Sequence, residues 1–303
     1  MTGQLNRVDV AVLPIGWSST PLASEASGSW SPGLSPDGRH AAYVSDRSGT
    51  PKVWVQPVGS ELTFLVDTGD APVMAVQWST GGGWLACLLA PGGAPRHEVW
   101  LVRPDGSELH QVAGFGADTA DNMRWLPGRS LLAVTENLTT TLIIDPVTGS
   151  RAVVATGELI SLLDVSGGRA LLRRGPRGAR HVVVRDLSTG AEEHVTSGQE
   201  AVFAPDGSIW ALSDAAEVPQ LMHGSTVVAA RAHAEVEAFA LTTDGRKAAV
   251  LWNERGGRSA LTVLSAEDGR SETVPLPGWV VSGPSWSTDG STLAFTAEGP
   301  GGP

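Results

Sequence analysis

SWSPGLSPDGRHAAYVSDRSGTPKVWVQP, residues 29–57, is the unit from which the rest of the chain is built. A short strand runs into the turn Ser35-Pro36-Asp37-Gly38. A second strand follows over 39–45, and a loop through Asp46-Arg47-Ser48-Gly49 leads to a third over 52–57. The turn chemistry is explicit. Asp37 can accept hydrogen bonds from the backbone N–H groups ahead of it, and Gly38 takes the positive φ that closes a hairpin. The flanking strands mix β-branched, aromatic and small residues, as a sheet buried on both faces requires.

The turn recurs as Ser79-Thr-Gly-Gly82, Trp125-Leu-Pro-Gly128, Val165-Ser-Gly-Gly168, Ala204-Pro-Asp-Gly207, Thr242-Thr-Asp-Gly245 and Ser287-Thr-Asp-Gly290. From third residue to third residue the spacings are 44, 46, 40, 39, 38 and 45. That is near the ~40–45 residues of a four-stranded propeller blade. The flanks repeat too, with Val76-Gln-Trp78, Met123-Arg-Trp125 and Pro284-Ser-Trp286 before the turns and Leu131-Leu-Ala133 or Thr292-Leu-Ala294 after them. The expectation is an all-β, seven-bladed β-propeller of four-stranded antiparallel blades. The blades fall at about 29–70, 71–118, 119–158, 159–199, 200–233, 234–279 and 280–303. Small residues in the second strands (Ala41, Ala42, Ala86, Ala133, Ala211, Ala248, Ala294) let neighbouring sheets approach. The 11 tryptophans are read as wedge-filling core in preference to a ligand platform.

The two ends do not match. The seventh unit reaches only its second strand before residue 303, and the N-terminal segment 1–28 offers one strand, at 8–13. One strand cannot replace two, so the last blade is expected to be incomplete, with an open edge through which copies could associate. Residues 299–303 stand where 47–51 lead into the third strand of the first blade, which reads as part of a longer chain.

Composition narrows the function classes. Lys and Arg number 21 against 32 Asp and Glu, a formal charge of −11, with 41% hydrophobic and 17% charged residues. The chain is globular, and nucleic acid is excluded as the main partner because phosphate binding needs a cationic face. The single cysteine, Cys87, allows neither an internal disulfide nor a cysteine metal cluster, and reads as a buried structural thiol. No apolar run approaches the ~20 residues of a spanning helix. The N-terminus lacks a secretory pattern, so the expected location is cytoplasmic, with no membrane partner.

Candidate chemistry is sparse. No Gly-x-Ser-x-Gly elbow occurs. His40, His97, His110, His181, His194, His223 and His233 stand apart, with no His-x-x-x-His pair. Gly81-Gly-Gly83 lacks the Lys-Ser/Thr of a phosphate cradle and leads into a strand, so it is a blade turn. Glu192-Glu193 reads as a solvated rim. Arg173, Arg174, Arg177 and Arg180 read as a solvated loop, with binding of a carboxylate or an acidic face as the other choice. No residue is assigned a catalytic, cofactor-binding or metal role, and no cofactor is expected.

Ser35-Pro-Asp-Gly-Arg39, then Ala42-Tyr-Val-Ser-Asp-Arg-Ser-Gly49 and Val53-Trp-Val55, resembles the first blade of the propeller in the prolyl oligopeptidase family (peptidase S9), nearest its acylaminoacyl-peptidase-like bacterial branch. Pro284-Ser-Trp-Ser-Thr-Asp-Gly-Ser-Thr-Leu-Ala-Phe295 is similar to the last blade. The same turn occurs in TolB-like propellers. The peptidase resemblance implies a non-catalytic propeller that caps a C-terminal α/β-hydrolase domain, in cis or in trans, and gates access of short peptides to its serine triad. The alternative is a self-contained TolB-like scaffold that binds a protein or peptide. That family's dipeptidyl branch holds a peptide amine with a propeller Glu-Glu pair, but Glu192-Glu193 does not match that setting. On either reading this chain alone is expected to be inactive.

Overall fold

A computed structural model describes residues 7–14, 20–21 and 28–299, apart from 94, 127, 255, 277 and 279. The chain opens with β1 (Arg7–Pro14) and β2 (Thr20–Pro21). One sheet follows from β3 (Ser29–Leu34), β4 (His40–Ser45), β5 (Lys52–Pro57) and β6 (Phe64–Val66). The next holds β7 (Val73–Trp78), β8 (Leu85–Leu89), β9 (Glu98–Val102) and β10 (His110–Ala113), and a third holds β11 (Ala120–Trp125), β12 (Leu132–Glu136), β13 (Thr140–Ile144) and β14 (Arg151–Thr156). A seven-stranded sheet comes next: β15 (Ile160–Ser166), β16 (Arg169–Arg174), β17 (His181–Asp186), β18 (Glu192–Phe203), β19 (Ile209–Ser213), β20 (Gln220–His223) and β21 (Thr226–Ala229). Then come β22 (Ala234–Leu241), β23 (Lys247–Glu254), β24 (Arg258–Ser265) and β25 (Ser271–Val274), and finally β26 (Val280–Trp286) and β27 (Thr292–Gly299). All pairing is antiparallel. The helical content of the described residues is one 3-10 turn at Pro91–Gly93, and no helix is long and apolar enough to cross a membrane.

The last sheet corrects the expectation of an incomplete blade. Its order is β2-β1-β27-β26, four strands. The N-terminal segment contributes two strands, not one: β1 pairs with β27 from Arg7↔Gly299 to Pro14↔Thr292, and β2 pairs with β1 at Ala11↔Pro21 and Val12↔Thr20. Sequence order conceals this pairing, because the partners lie at opposite ends of the chain. The edge of β27 is therefore covered, and the ring is fastened by hydrogen bonds between the two ends.

The core is divided into clusters between consecutive sheets. Val44, Val53 and Val55 of the first sheet pack on Val76, Leu85 and Cys87 of the second. Leu251 and Leu261 pack on Leu293 and Phe295, and Ala294 returns to Leu34, Ala41 and Tyr43, closing the ring. The seven-stranded sheet is folded back on itself, with Leu163, Leu171 and Val182 on one limb packed against Ala201, Phe203 and Ala211 on the other. Its shared strand, β18, pairs with β17 through Glu192–Ser197 and with β19 through Gly198–Phe203, so the expected boundary at 199/200 falls inside a strand. Gly198 permits the bend. Its φ is +149°, and a Cβ there would lie 2.1 Å from the Leu212 carbonyl oxygen. The second-strand alanines at 41, 42, 86, 133, 211, 248 and 294 are all at most 2% exposed, as close sheet approach demands.

The repeated turns are built as their sequence suggests. Asp37 Oδ1 accepts from Ser35 Oγ (2.6 Å) and from the Arg39 N–H (3.1 Å), while His40 N–H donates to Ser35 Oγ (2.9 Å). Thr242 with Asp244, and Ser287 with Asp289, repeat the arrangement at 2.7 and 2.6 Å. These hydrogen bonds hold the carboxyls of Asp37, Asp244 and Asp289 below the usual carboxylate range, in each case chiefly through the Ser or Thr hydroxyl.

Candidate functional site

The first strand of each repeat lies innermost, and each breaks register once, for example between Val73 and Ala75, Ala120 and Asn122, Leu162 and Asp164, Gly198 and Glu200, and Val236 and Ala238. A bulge re-aims side chains and leaves backbone groups unpaired. Side chains from neighbouring repeats bond backbone groups of these strands. Trp30 Nε1 donates to Met74 O (2.9 Å), Asn122 Nδ2 to Leu162 O (3.1 Å), and Asp164 Oδ2 accepts from Phe203 N–H (2.9 Å).

A charged cluster sits among these strands. Arg124 on β11 lies on the same strand face as Asn122, two residues away, and therefore looks toward β15. Its guanidinium acts electrostatically on Asp164 of β15 and on Glu200 of β18, favouring both ionised forms. Burial outweighs that help, and both carboxyls are pushed above the usual range. The two acids differ in use. Asp164 is 1% exposed and spends its oxygens on Val165 N–H (2.8 Å) and Phe203 N–H, so it is a tie between strands. Glu200 reaches solvent although protein surrounds it, and among the described residues its carboxyl makes no hydrogen bond. Arg173, half-buried, donates to Ser161 Oγ (2.8 Å), and burial, then Arg180, lowers its pKa. Chemically this is an unengaged carboxyl with two guanidinium groups close enough to act on it. It suits a polar or charged group of a ligand. Among the described residues no group of three or more His, Cys, Asp or Glu could hold a metal ion.

The residues singled out in the sequence separate in space. Arg173 and Arg174 lie on β16 and not in a loop. Arg174 is paired with Glu192, at 3.0 Å from Nε and 2.6 Å from Nη2, and Arg185 adds a third contact at 2.9 Å. Those bonds, that from Arg174 first, hold the Glu192 carboxyl below its usual range. Glu192 and Glu193 begin the strand β18, exposed. Arg180 donates to Gln199 Oε1 (3.1 Å), and Arg177 is exposed in the turn. The arginines thus do not form one patch. Gly81 and Gly82 lie in a blade turn. Cys87 is buried, and burial pushes its thiol up to about 12. Nine tryptophans are described, and all are buried or partly buried against the core clusters; Trp17 and Trp279 lie outside the described residues.

One serine–histidine contact escaped the sequence. Ser208 Oγ lies 2.7 Å from His223 Nε2 and 2.6 Å from Asp206 Oδ1. The ring of His223 stacks on Trp210 at 4.6 Å. Here the acid binds the serine and not the histidine, the reverse of a hydrolytic triad. The group is a turn lock.

No protein-family model matches the chain, and no curated protein matches it. Solved structures do. Putative TolB from Agrobacterium tumefaciens superposes with a TM-score of 0.63 at 15% identity, over 99% of this chain and 100% of that one. TolB from Acinetobacter baumannii gives 0.56 at 15%, over 95% of this chain and 68% of that one. Pyrococcus horikoshii acylaminoacyl peptidase gives 0.65 at 13%, over 89% of this chain but 48% of that one. The chain has the propeller fold found in TolB and in peptidases of the acylaminoacyl type.

Proposed function

We propose that this chain is a non-catalytic propeller that binds short peptide segments on the inner side of its ring. The observation that carries the reading is the cluster of Arg124, Asp164, Arg173 and Glu200, gathered from three consecutive repeats. A peptide offers amides, a terminal carboxylate and a terminal amine. The guanidinium groups suit the carboxylate, and Glu200 suits the amine. Taken as two four-stranded units that share β18, the seven-stranded sheet brings the blade count to seven, in keeping with the turn period.

Two settings fit such a ring. A self-standing scaffold is supported by the overlap with the whole length of a putative TolB. A cap that gates short peptides into a hydrolase domain, in cis or in trans, is supported by the overlap with about half of an acylaminoacyl peptidase. Titration calorimetry with short peptides carrying free termini tests the binding common to both. Arg124→Gln and Glu200→Gln should each weaken it by about tenfold, the scale of one charge-assisted contact. Wild-type affinity in both variants would defeat the reading. The two settings part when the ring is joined to a hydrolase domain, since only a gate makes cleavage depend on substrate size.

A further inference from the structure

Between the first two sheets, on the side that carries the Ser35–Gly38 and Ser79–Gly82 turns, lies a groove of about 780 Å³. Val55, Phe64, Leu65 and Trp78 give it apolar walls, and Asp37 and Asp105 stand at its rim. Phe64 and Leu65 are 55% and 53% exposed, and Leu62 beside them 68%. A run of large exposed apolar side chains on one short strand is unusual for a solvated surface. That strand, β6, is also an edge, since among the described residues it pairs only with β5. Natural edge strands are commonly blunted with lysine or proline. This one has neither, and its flanking charges, Glu61 and Asp67, are acidic.

The acidic groups of the lining are Asp37 and Asp105, with His40 and Arg39 near the first and Arg103 near the second. Asp37 and Asp105 each use Oδ1 on their own turn, through Ser35 and Ser107 hydroxyls at 2.6 and 2.7 Å. Those bonds keep both carboxyls below the usual range and so ionised, leaving Oδ2 for a ligand. The Asp67 backbone nitrogen stands 3.6 Å from where a Cβ on Gly106 would be, so the acidic end of β6 adjoins the Asp105 turn. Among the described residues no lysine or arginine lines the groove.

We infer that this groove takes an extended segment of a partner polypeptide, with a large apolar side chain between Phe64, Leu65 and Trp78 and a neighbouring Lys or Arg at Asp37 and Asp105. The free edge of β6 would supply backbone pairing, the usual way an extended peptide docks on a sheet. The site lies at the turn side of the first two sheets, and its residues are separate from Arg124 and Glu200, so it stands or falls independently of the reading above.

The test uses the full chain and two end-blocked pentapeptides, Gly-Leu-Arg-Leu-Gly and Gly-Leu-Glu-Leu-Gly, titrated at low salt. The arginine peptide should bind severalfold more tightly than its glutamate counterpart, since two exposed carboxylates attract one charge and repel the other. Asp37→Asn with Asp105→Asn should erase that preference, since asparagine keeps the Oδ1 acceptor that holds each turn. Leu65→Ser, at a solvent-exposed position, should weaken the arginine peptide about tenfold, and R124Q should leave it unchanged. Failure of the wild-type chain to bind the arginine peptide, equal binding of the two peptides, or unaltered binding in the folded D37N/D105N and L65S chains would overturn the inference.

Discussion

Pro205 packs against Gly245 so closely that a Cβ on the glycine would stand 2.8 Å from the proline Cδ. The same relation links other successive turns: a Cβ on Gly82 would meet Pro36 at 3.3 Å, and one on Gly290 would meet Thr242 at 3.1 Å. The glycines at 82, 245 and 290 therefore answer two demands, a left-handed backbone and a neighbouring repeat at contact distance. Gly269 faces only the first, with φ +69° and nothing within 4 Å. Gly269→Ala should cost about 1 kcal/mol, the left-handed penalty alone. Gly245→Ala, at φ +72°, should cost about 1–3 kcal/mol more, because Pro205 is a rigid ring that must shift. Urea unfolding of the two variants measures the difference, and equal costs would show that the contact carries no energy.

Two tryptophans make a second controlled pair. Trp286 Nε1 donates to Ala240 O at 3.0 Å, across to the preceding sheet. Trp78 ends the equivalent strand, but its Nε1 is buried without a partner among the described residues. Each Trp→Phe change loses similar packing, while only Trp286→Phe leaves a carbonyl bereft. The expected destabilisation is about 1–2 kcal/mol larger for W286F than for W78F. Matching losses in thermal or urea melts would show that the Ala240 bond adds nothing.

The pairing of β1 with β27 makes the N-terminal strands part of the closure. Deleting residues 1–21 should expose the edge of β27 along eight paired residues, from Thr292 to Gly299. Unpaired edges template association. The truncated chain should melt at lower temperature and show oligomers by light scattering, whereas the full chain should not associate through this edge. A truncated chain as stable and as monodisperse as the full one would remove the closure role.

The repeat was legible because its turn demands particular residues at particular places. Asp37, Asp244 and Asp289 each accept from a hydroxyl two residues back and from an amide two residues ahead. That is a local constraint, written in four consecutive letters. The closure was not legible, because no local rule ties residues 7–14 to 292–299. The continuous β18 was hidden too, since the turn period sets a boundary at 199/200 and nothing local marks Gly198 as a bend inside a strand. The charged cluster left a faint trace, a single charge within each of the apolar runs ISLLDVS and EAVF. Only the ring brings Asp164 and Glu200 together with Arg124. Ser208 and His223 meet because β19 and β20 are neighbours in register, Trp210 opposite His223.

The turn carboxylates set the acid limb of stability. Asp186 accepts from Ser188 and Thr189, hydroxyls and amides both, and these bonds, that of the Ser188 hydroxyl first, lower its pKa from 3.8 to about 2. A folded-state value below the unfolded one means that the unfolded chain binds the proton more readily. The contribution is therefore full above pH 3.8 and is lost as the pH falls toward 2. Asp186→Asn keeps the acceptor and removes the charge. The melting-temperature gap between wild type and D186N should be present near neutral pH and close as the pH falls through that window; a gap constant with pH would contradict it.

Ser208 is expected to be unreactive. Its single hydroxyl hydrogen is directed at Asp206 Oδ1, 2.6 Å away, and that bond comes first among the causes that lower the Asp206 pKa. With the hydrogen so placed, His223 Nε2 must donate to the serine oxygen across 2.7 Å. A base that is donating cannot also accept the proton that a nucleophile must lose. Stacking on Trp210, at an interplanar angle of 17°, holds the imidazole in place. The purified chain should therefore resist labelling by a fluorophosphonate probe and should leave chromogenic peptides intact. Ser208→Ala should lower stability by about 1 kcal/mol through the lost turn bonds, with no change in this silence toward substrate. Covalent labelling at Ser208, or hydrolysis that S208A abolishes, would establish that the hydroxyl is activated and that this turn is a catalytic site.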